Sequence, residues 1–176
     1  SNTPWIAIPD EYTSIMKKIK QDSDLLGDIS RIGRGIQSGL NEAFVVNDDI
    51  ISEFKLEKKL LRNYAKTKDI KPYLIKRSGL KVIKLLFEDD IEKYPSTKKY
   101  LESYKQELKN RYEAKKGICK WYSLSVIRSM DIFDVQKEKI ITPIYSTTNK
   151  FGLDSASDDE NYFTLSDTTA IQLKDH

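Results

Sequence analysis

The residue types that carry covalent or metal chemistry are scarce in this chain. Of its 176 residues, one is cysteine, Cys119, and one is histidine, His176, the last residue. A Ser-His-Asp triad needs a histidine that the fold can surround, and a zinc site needs three or four Cys, His or acidic ligands at suitable spacing. Neither can be assembled from this set. Cys119 stands between Ile118 and Lys120 with no second histidine to activate it, so it reads as a small core residue. Gly33-Arg34-Gly35 echoes a phosphate-binding loop over three residues only, and no third glycine follows at the spacing a dinucleotide site requires. Glu57 with Lys59, and Glu92 with Lys93, touch the acid and acid-x-Lys pattern of magnesium nucleases, but a chain this rich in Glu and Lys produces such pairs by chance. Asp158-Asp159-Glu160 reads as a solvated acidic loop rather than a cation site.

What remains is the chemistry of hydrogen bonds and charge. Gln37, Ser38 and Asn41 lie at a turn that follows Gly35 and contains Gly39. Amide and hydroxyl side chains donate and accept as base edges do, and glycine lets a backbone come close; the same residues also cap their own turn in many folds. The net charge is only +3, yet it is unevenly spread. Lys55 to Lys84 carries eleven Lys or Arg against two acids, Lys98 to Lys120 eight against three, and Asp154 to Asp175 six acids against one lysine. A basic middle and an acidic tail fit a surface that faces a polyanion, or lysine-rich helices that are merely solvated.

The composition, 39% hydrophobic and 32% charged, is that of one globular domain long enough to bury a core. No run of about 18 apolar residues offers a membrane span, and no basic stretch followed by an apolar block reads as a signal peptide. A single cysteine excludes a disulfide within the chain and suits a reducing, cytoplasmic setting. Ser1-Asn2 reads as a scar of tag removal, which would make the chain an excised piece.

Several elements must position these residues. Asp10 to Gln21 has helical spacing, with Ile15, Met16 and Ile19 on one face. Ile29 to Ile36 reads as a strand, and Ala43 to Val46 as a second one that returns after the Gln37–Asn41 turn, forming a hairpin-like unit. Ser52 to Lys66 reads as a helix capped by Ser52, with Leu56, Leu60 and Tyr64 aligned. Lys81 to Phe87 is a β-type run. After Tyr94-Pro95 a long helix runs over about 97–116, burying Tyr100, Leu101, Tyr104, Leu108 and Tyr112 and stopping at Gly117. Lys139 to Tyr145 is β-rich, and Pro143 places it at an edge or a bulge. Short β-type runs at 151–153, 162–165 and 170–173 close the chain. The expected class is mixed α+β: a twisted, short-stranded sheet with one long helix and shorter ones.

Gly35-Ile36-Gln37-Ser38-Gly39-Leu40-Asn41-Glu42-Ala43-Phe44-Val45-Val46 resembles the opening motif of the TaqI-like C-terminal specificity domain, Gly-Ile-Gln-Thr-Gly, then Asn, then Ala-Phe and two apolar residues. Lys71-Pro72-Tyr73-Leu74, leading into Ile75-Lys76-Arg77-Ser78-Gly79-Leu80, is similar to that family's Lys-Pro-aromatic-Leu element, although the family has Arg-Gly where this chain has Ile-Lys-Arg. Tyr94-Pro95 with Leu108 and Arg111, Trp121-Tyr122-x-Leu124, and Lys139-Ile140-Ile141 with Phe151-x-Leu153-Asp154 follow in the family's order. The resemblance runs from about Leu26 to the C-terminus.

It implies a double-stranded DNA target-recognition domain over 27–176, preceded by a linker and short helix over 1–26 from a covalently joined methyltransferase domain. That domain would belong to a type II, type IIG-like restriction-modification enzyme that methylates adenine N6. The piece itself would be non-catalytic and hold no cofactor; S-adenosylmethionine would bind the missing catalytic domain. In agreement, the Asn-Pro-Pro-aromatic tetrapeptide of adenine-N6 enzymes is absent, since no two prolines are adjacent. The candidate DNA contacts are Gln37, Ser38 and Asn41 at the turn, Arg34 as a phosphate clamp, the basic loop Lys76, Arg77 and Ser78, Lys120, and Thr147, Asn149 and Lys150 in a second polar loop. Trp121 reads as core rather than as a stacking platform. Two other classes remain: a protein-interaction or regulatory domain that docks through the long helix, and a small magnesium nuclease.

Overall fold

The computed structural model describes residues 9–21, 23–157 and 160–174. Ser1-Asn2, Asp158-Asp159 and His176, each read above from sequence, lie outside the described residues. Helix α1 (Asp10–Gln21) and the single turn α2 (Leu26–Ile29) lead into strand β1 (Ser30–Arg34). A loop and the turn α3 (Asn41–Phe44) precede β2 (Val45–Val46) and α4 (Asp48–Phe54). Short strands β3 (Leu61–Asn63), β4 (Ile70–Lys71), β5 (Tyr73–Ile75) and β6 (Lys81–Ile83) follow. Helices α5 (Pro95–Glu102), α6 (Lys105–Asn110), α7 (Tyr112–Lys115) and α8 (Met130–Phe133) precede β7 (Lys139–Pro143), β8 (Gly152–Asp154) and β9 (Thr168–Leu173).

Six strands form one sheet in the order β1-β9-β7-β8-β5-β4, and three form a second, β2-β6-β3. This is the mixed α+β architecture expected. One face of the large sheet covers the core, where Phe44, Phe133 and Phe163 are fully buried with Ile36, Ile83, Leu101 and Leu108. Each such side chain contributes about 2 kcal/mol by leaving water. Lys139 and Asp154, opposite each other on β7 and β8, form an ion pair at 3.0 Å with neither side chain exposed. The Asp154 carboxylate also accepts the backbone N–H groups of Ala156, Asn161 and Tyr162, so the pair ties the loop after β8 to the sheet. No described helix is long and apolar enough to cross a membrane.

Several elements differ from the sequence reading. The long helix over 97–116 is present as three segments: it breaks first at Ser103 and Tyr104, and again at Arg111, whose extended backbone (φ −55°, ψ 142°) interrupts the helix. The breaks rotate the apolar stripe: Tyr100 and Leu108 are buried, but Tyr112 is 67% exposed. The helix expected over 52–66 starts earlier, where the Asn47 side chain accepts the Ile50 N–H at 3.0 Å, and it ends at Lys55 in the left-handed region. Leu56, Leu60 and Tyr64 are all buried, though from a loop, a 3-10 turn and a bridge rather than from one helix face. The expected hairpin over 29–46 does not pair with itself: β1 pairs with β9 and β2 with β6. Pro143 does not mark an edge, since β7 lies between β9 and β8; it occupies the last strand position, beyond the point where β8 still runs alongside. The run at 162–165 is buried but joins its neighbours through isolated bridges.

Candidate nucleic-acid interface

Residues distant in sequence meet around a broad concavity of about 1070 Å³. Its rim and floor carry Arg34, Gln37, Ser38 and Asn41 from the β1–β2 connection, Lys66 and Lys68 from the turn before β4, and Arg128. Two carboxylates, Glu42 and Asp167, share the lining, and Asp167 receives the Thr67 hydroxyl. Four cations against two acids leave the cleft net positive, and Asn47 and Thr67 add neutral hydrogen-bonding groups. An open cleft of this size with cations and amides on its walls is suited to an extended anionic ligand rather than to a small enclosed one.

The loop that lines it is held on three sides. Gly35 sits against the 164–165 backbone, where a Cβ would come within 2.0 Å of the Leu165 carbonyl oxygen. Ile36 N–H donates to the Thr164 carbonyl at 2.9 Å, and Gln37 exchanges backbone bonds with Val126, which brings Arg128 to the cleft. Arg111, only 7% exposed, supplies the third tether. Its Nη1 donates to the Ser38 carbonyl at 2.6 Å, its Nε to Leu108, and its Nη2 lies within 3.1 Å of the carbonyls of Lys120, Trp121 and Ser123. The guanidinium also lies over the Phe44 ring at 5.6 Å. Burial pushes its pKa down, with nearby Cys119 and Glu113 offsetting part of the fall, and the hydrogen bonds it donates here go to main-chain oxygens. Gly39, at φ +75°, leaves room for the Arg111 side chain, whose Cδ would meet a Cβ there at 2.7 Å.

The candidate DNA-contacting residues fall into groups. Arg34, Gln37, Ser38 and Asn41 are together in the cleft. Arg34 is exposed and donates to the Ser166 carbonyl at 3.1 Å. Ser38 is buried; its hydroxyl is spent on the Asn41 side chain at 2.5 Å, which leaves exposed Asn41 as the outward group of the pair. Gln37 is half-buried, its Nε2 3.4 Å from Glu113. Lys76, Arg77 and Ser78 do not line the cleft: Ser78 donates to the carbonyl of Tyr64, a lining residue, whereas Arg77 reaches Glu160 at 4.0 Å, on a separate and smaller depression. Thr147, Asn149 and Lys150 lie in the loop joining β7 to β8, whose first residue, Ile144, donates its N–H to Asp167. Lys120 does not line the cleft; its amine donates to the Asp89 carbonyl at 3.0 Å beside the rings of Phe87 and Tyr122. Lys66, Lys68, Asn47 and Arg128 are lining residues that sequence reasoning did not single out. The two lysines belong to the basic run already counted, whereas nothing local marks Arg128, which arrives through the bridge at Val126.

Residues with a second reading have other duties. Both Glu57 oxygens accept bonds from the start of α5, Ser96 N–H at 3.0 Å and Thr97 N–H at 2.9 Å, with the Thr97 hydroxyl at 2.5 Å. Burial raises the Glu57 pKa, but these bonds outweigh it and the net shift is downward. Glu92 pairs with Lys98 at 2.7 Å. Cys119 is buried, and its thiol is pushed up by burial, with the nearby Arg111 charge offsetting part of the rise. That favours the inert thiol form.

In sequence, the chain is 34% identical over 148 residues to the type II methyltransferase M.MjaIV of Methanocaldococcus jannaschii, covering 77% of this chain and 47% of that protein. It is 27% identical to the type II methyltransferase M.HindII of Haemophilus influenzae, over all of this chain and 38% of that protein. With M.BstVI of Geobacillus stearothermophilus, also a type II methyltransferase, identity is 26% over 83% of this chain and 26% of that protein. In fold it is similar to the type IIL restriction-modification enzyme MmeI, solved in complex with DNA, with a TM-score of 0.55, 14% identity, and coverage of 87% of this chain and 20% of that one. The relatives in sequence are type II methyltransferases, and the neighbour in fold is a restriction-modification enzyme. The chain spans less than half the length of these curated relatives. No protein-family model matches the chain.

Proposed function

We propose that this chain is a double-stranded DNA target-recognition domain, of the TaqI-like specificity type, from a type II restriction-modification enzyme. It holds the duplex while a joined methyltransferase domain, which binds S-adenosylmethionine, methylates adenine N6. The observation that carries the reading is the cleft: the Ile36–Asn41 loop and the cations Arg34, Lys66, Lys68 and Arg128 face one open space. The cations meet phosphates, while Asn41, Gln37 and Asn47 offer donors and acceptors to base edges. The relatives support it, since each is a methyltransferase more than twice as long as its matched part. So does the DNA complex of the fold neighbour.

The reading predicts binding to duplex DNA that weakens steeply with salt, because each phosphate neutralised contributes about −0.9 to the slope of log K against log salt. Fluorescence anisotropy with a labelled duplex of mixed sequence measures it. Absence of binding at about 50 mM salt contradicts the proposal.

A further inference from the structure

Lys71-Pro72-Tyr73-Leu74 forms the turn of a two-residue hairpin, in which Ile70 pairs with Ile75 and Lys71 with Leu74. Pro72 takes the first corner, where its fixed φ is favourable, and Tyr73 the second, at φ +69°. That corner is glycine's or asparagine's place: a side chain bulkier than these is strained in the left-handed region. Strain of this kind is commonly repaid by burial, but the Tyr73 ring is 89% exposed. Neither local conformation nor packing accounts for a tyrosine here. The turn is nonetheless firmly placed, because the Tyr73 N–H donates to the Phe151 carbonyl at 2.8 Å and the Lys76 N–H closes the hairpin on Asp69 at 2.8 Å.

The hairpin springs from the cleft wall. Residues Thr67 and Lys68, which line the cleft, belong to the 3-10 turn immediately before β4. The second loop that reaches Tyr73, residues 144–151, begins at Ile144, whose N–H donates to Asp167, another lining residue. That loop carries a second bare aromatic, Tyr145, 90% exposed. Two unburied rings thus rise from loops rooted in the cleft, with Lys71 and Lys76 exposed on the hairpin. Rings interspersed with cations suit a ligand that offers flat apolar faces strung on a charged backbone.

We propose that Tyr73, supported by Tyr145, is an aromatic contact to the DNA held in the cleft, its ring packing on the face of a base at a step the complex leaves unstacked. The proposal rests on the DNA-recognition reading and adds an aromatic contact beyond the cationic cleft. Tyr73→Gly removes the ring and fits the left-handed corner, so a strained functional residue and a structural one give different results. For the 176-residue chain, Tyr73→Gly relieves the left-handed strain but adds entropy to the unfolded chain, so the melting temperature is expected to stay within about 4 °C of the wild type. It is also expected to weaken binding to a labelled mixed-sequence duplex by about tenfold, with the salt slope unchanged because no phosphate contact is lost. Tyr73→Phe keeps wild-type affinity, and Tyr145→Ala gives a smaller loss. A melting temperature lowered by well over about 4 °C in Tyr73→Gly marks a structural tyrosine and overturns the proposal. So does wild-type affinity in Tyr73→Gly. Failure of the wild-type chain to bind DNA at about 50 mM salt overturns the recognition reading as well, whereas wild-type affinity in Tyr73→Gly leaves it standing.

Discussion

Arg111 brings a guanidinium into the interior and satisfies it with carbonyl oxygens from two distant stretches, one of which is the cleft loop at Ser38. Replacing it with methionine keeps volume but strands those oxygens, so Arg111→Met is expected to lose about 3 kcal/mol in urea denaturation. Arg111→Lys should recover little, because an ammonium lacks the fork that reaches several carbonyls at once. Glu57 acts locally by accepting the first N–H groups of α5. Its folded pKa lies below the ordinary 4.5, so its contribution is fully present above that pH and fades as pH falls through the folded value. Glu57→Gln should cost about 1 kcal/mol at pH 7 and flatten the acid limb of a stability-against-pH curve measured by denaturation. At this scale the sequence was partly legible. The polar crown at Gln37, Ser38 and Asn41 identified the cleft loop, but which side chain faces outward depends on the Ser38–Asn41 bond. Arg128 carried no local sign, since a backbone bridge between distant segments delivers it.

Among the elements, those with strong local signals stand where periodicity put them, as α1 and β9 do. The misplaced ones share a cause: a tertiary demand outweighs propensity. Arginine is a good helix former, so nothing in residues 97–116 announced the break at Arg111; the carbonyls waiting in the core decide it. The β1–β2 hairpin failed because β9 and β6 offer better edges, and pairing across long sequence separation leaves no mark between the strands. The two glycines in that region did carry information, since Gly33 and Gly35 both meet other chain segments closely. Gly35→Ala sets a methyl group 2.0 Å from the Leu165 carbonyl oxygen, where backbone must shift. A loss of about 3 kcal/mol in chemical denaturation is expected, with the cleft loop displaced.

For the whole molecule, the α+β class and the basic middle were visible in sequence, but charge counting could not say which cations share a surface. Lys66 and Lys68 face the cleft, while Lys120, from an equally basic stretch, is turned to Asp89 and two rings. The proposed function requires DNA to lie in the cleft rather than on the protein's positive charge at large. It is tested by comparing two triple variants of equal charge loss by anisotropy against duplex DNA across a salt series. Arg34→Ala/Lys68→Ala/Arg128→Ala strips the cleft, and Lys109→Ala/Lys115→Ala/Lys116→Ala strips the exposed surface of α6 and α7. The cleft variant is predicted to bind at least tenfold more weakly and to flatten the salt slope by about 2–3, with the helix variant close to wild type. Equal losses in the two variants, or a larger loss in the helix variant, would contradict the assignment of the cleft as the DNA-binding surface.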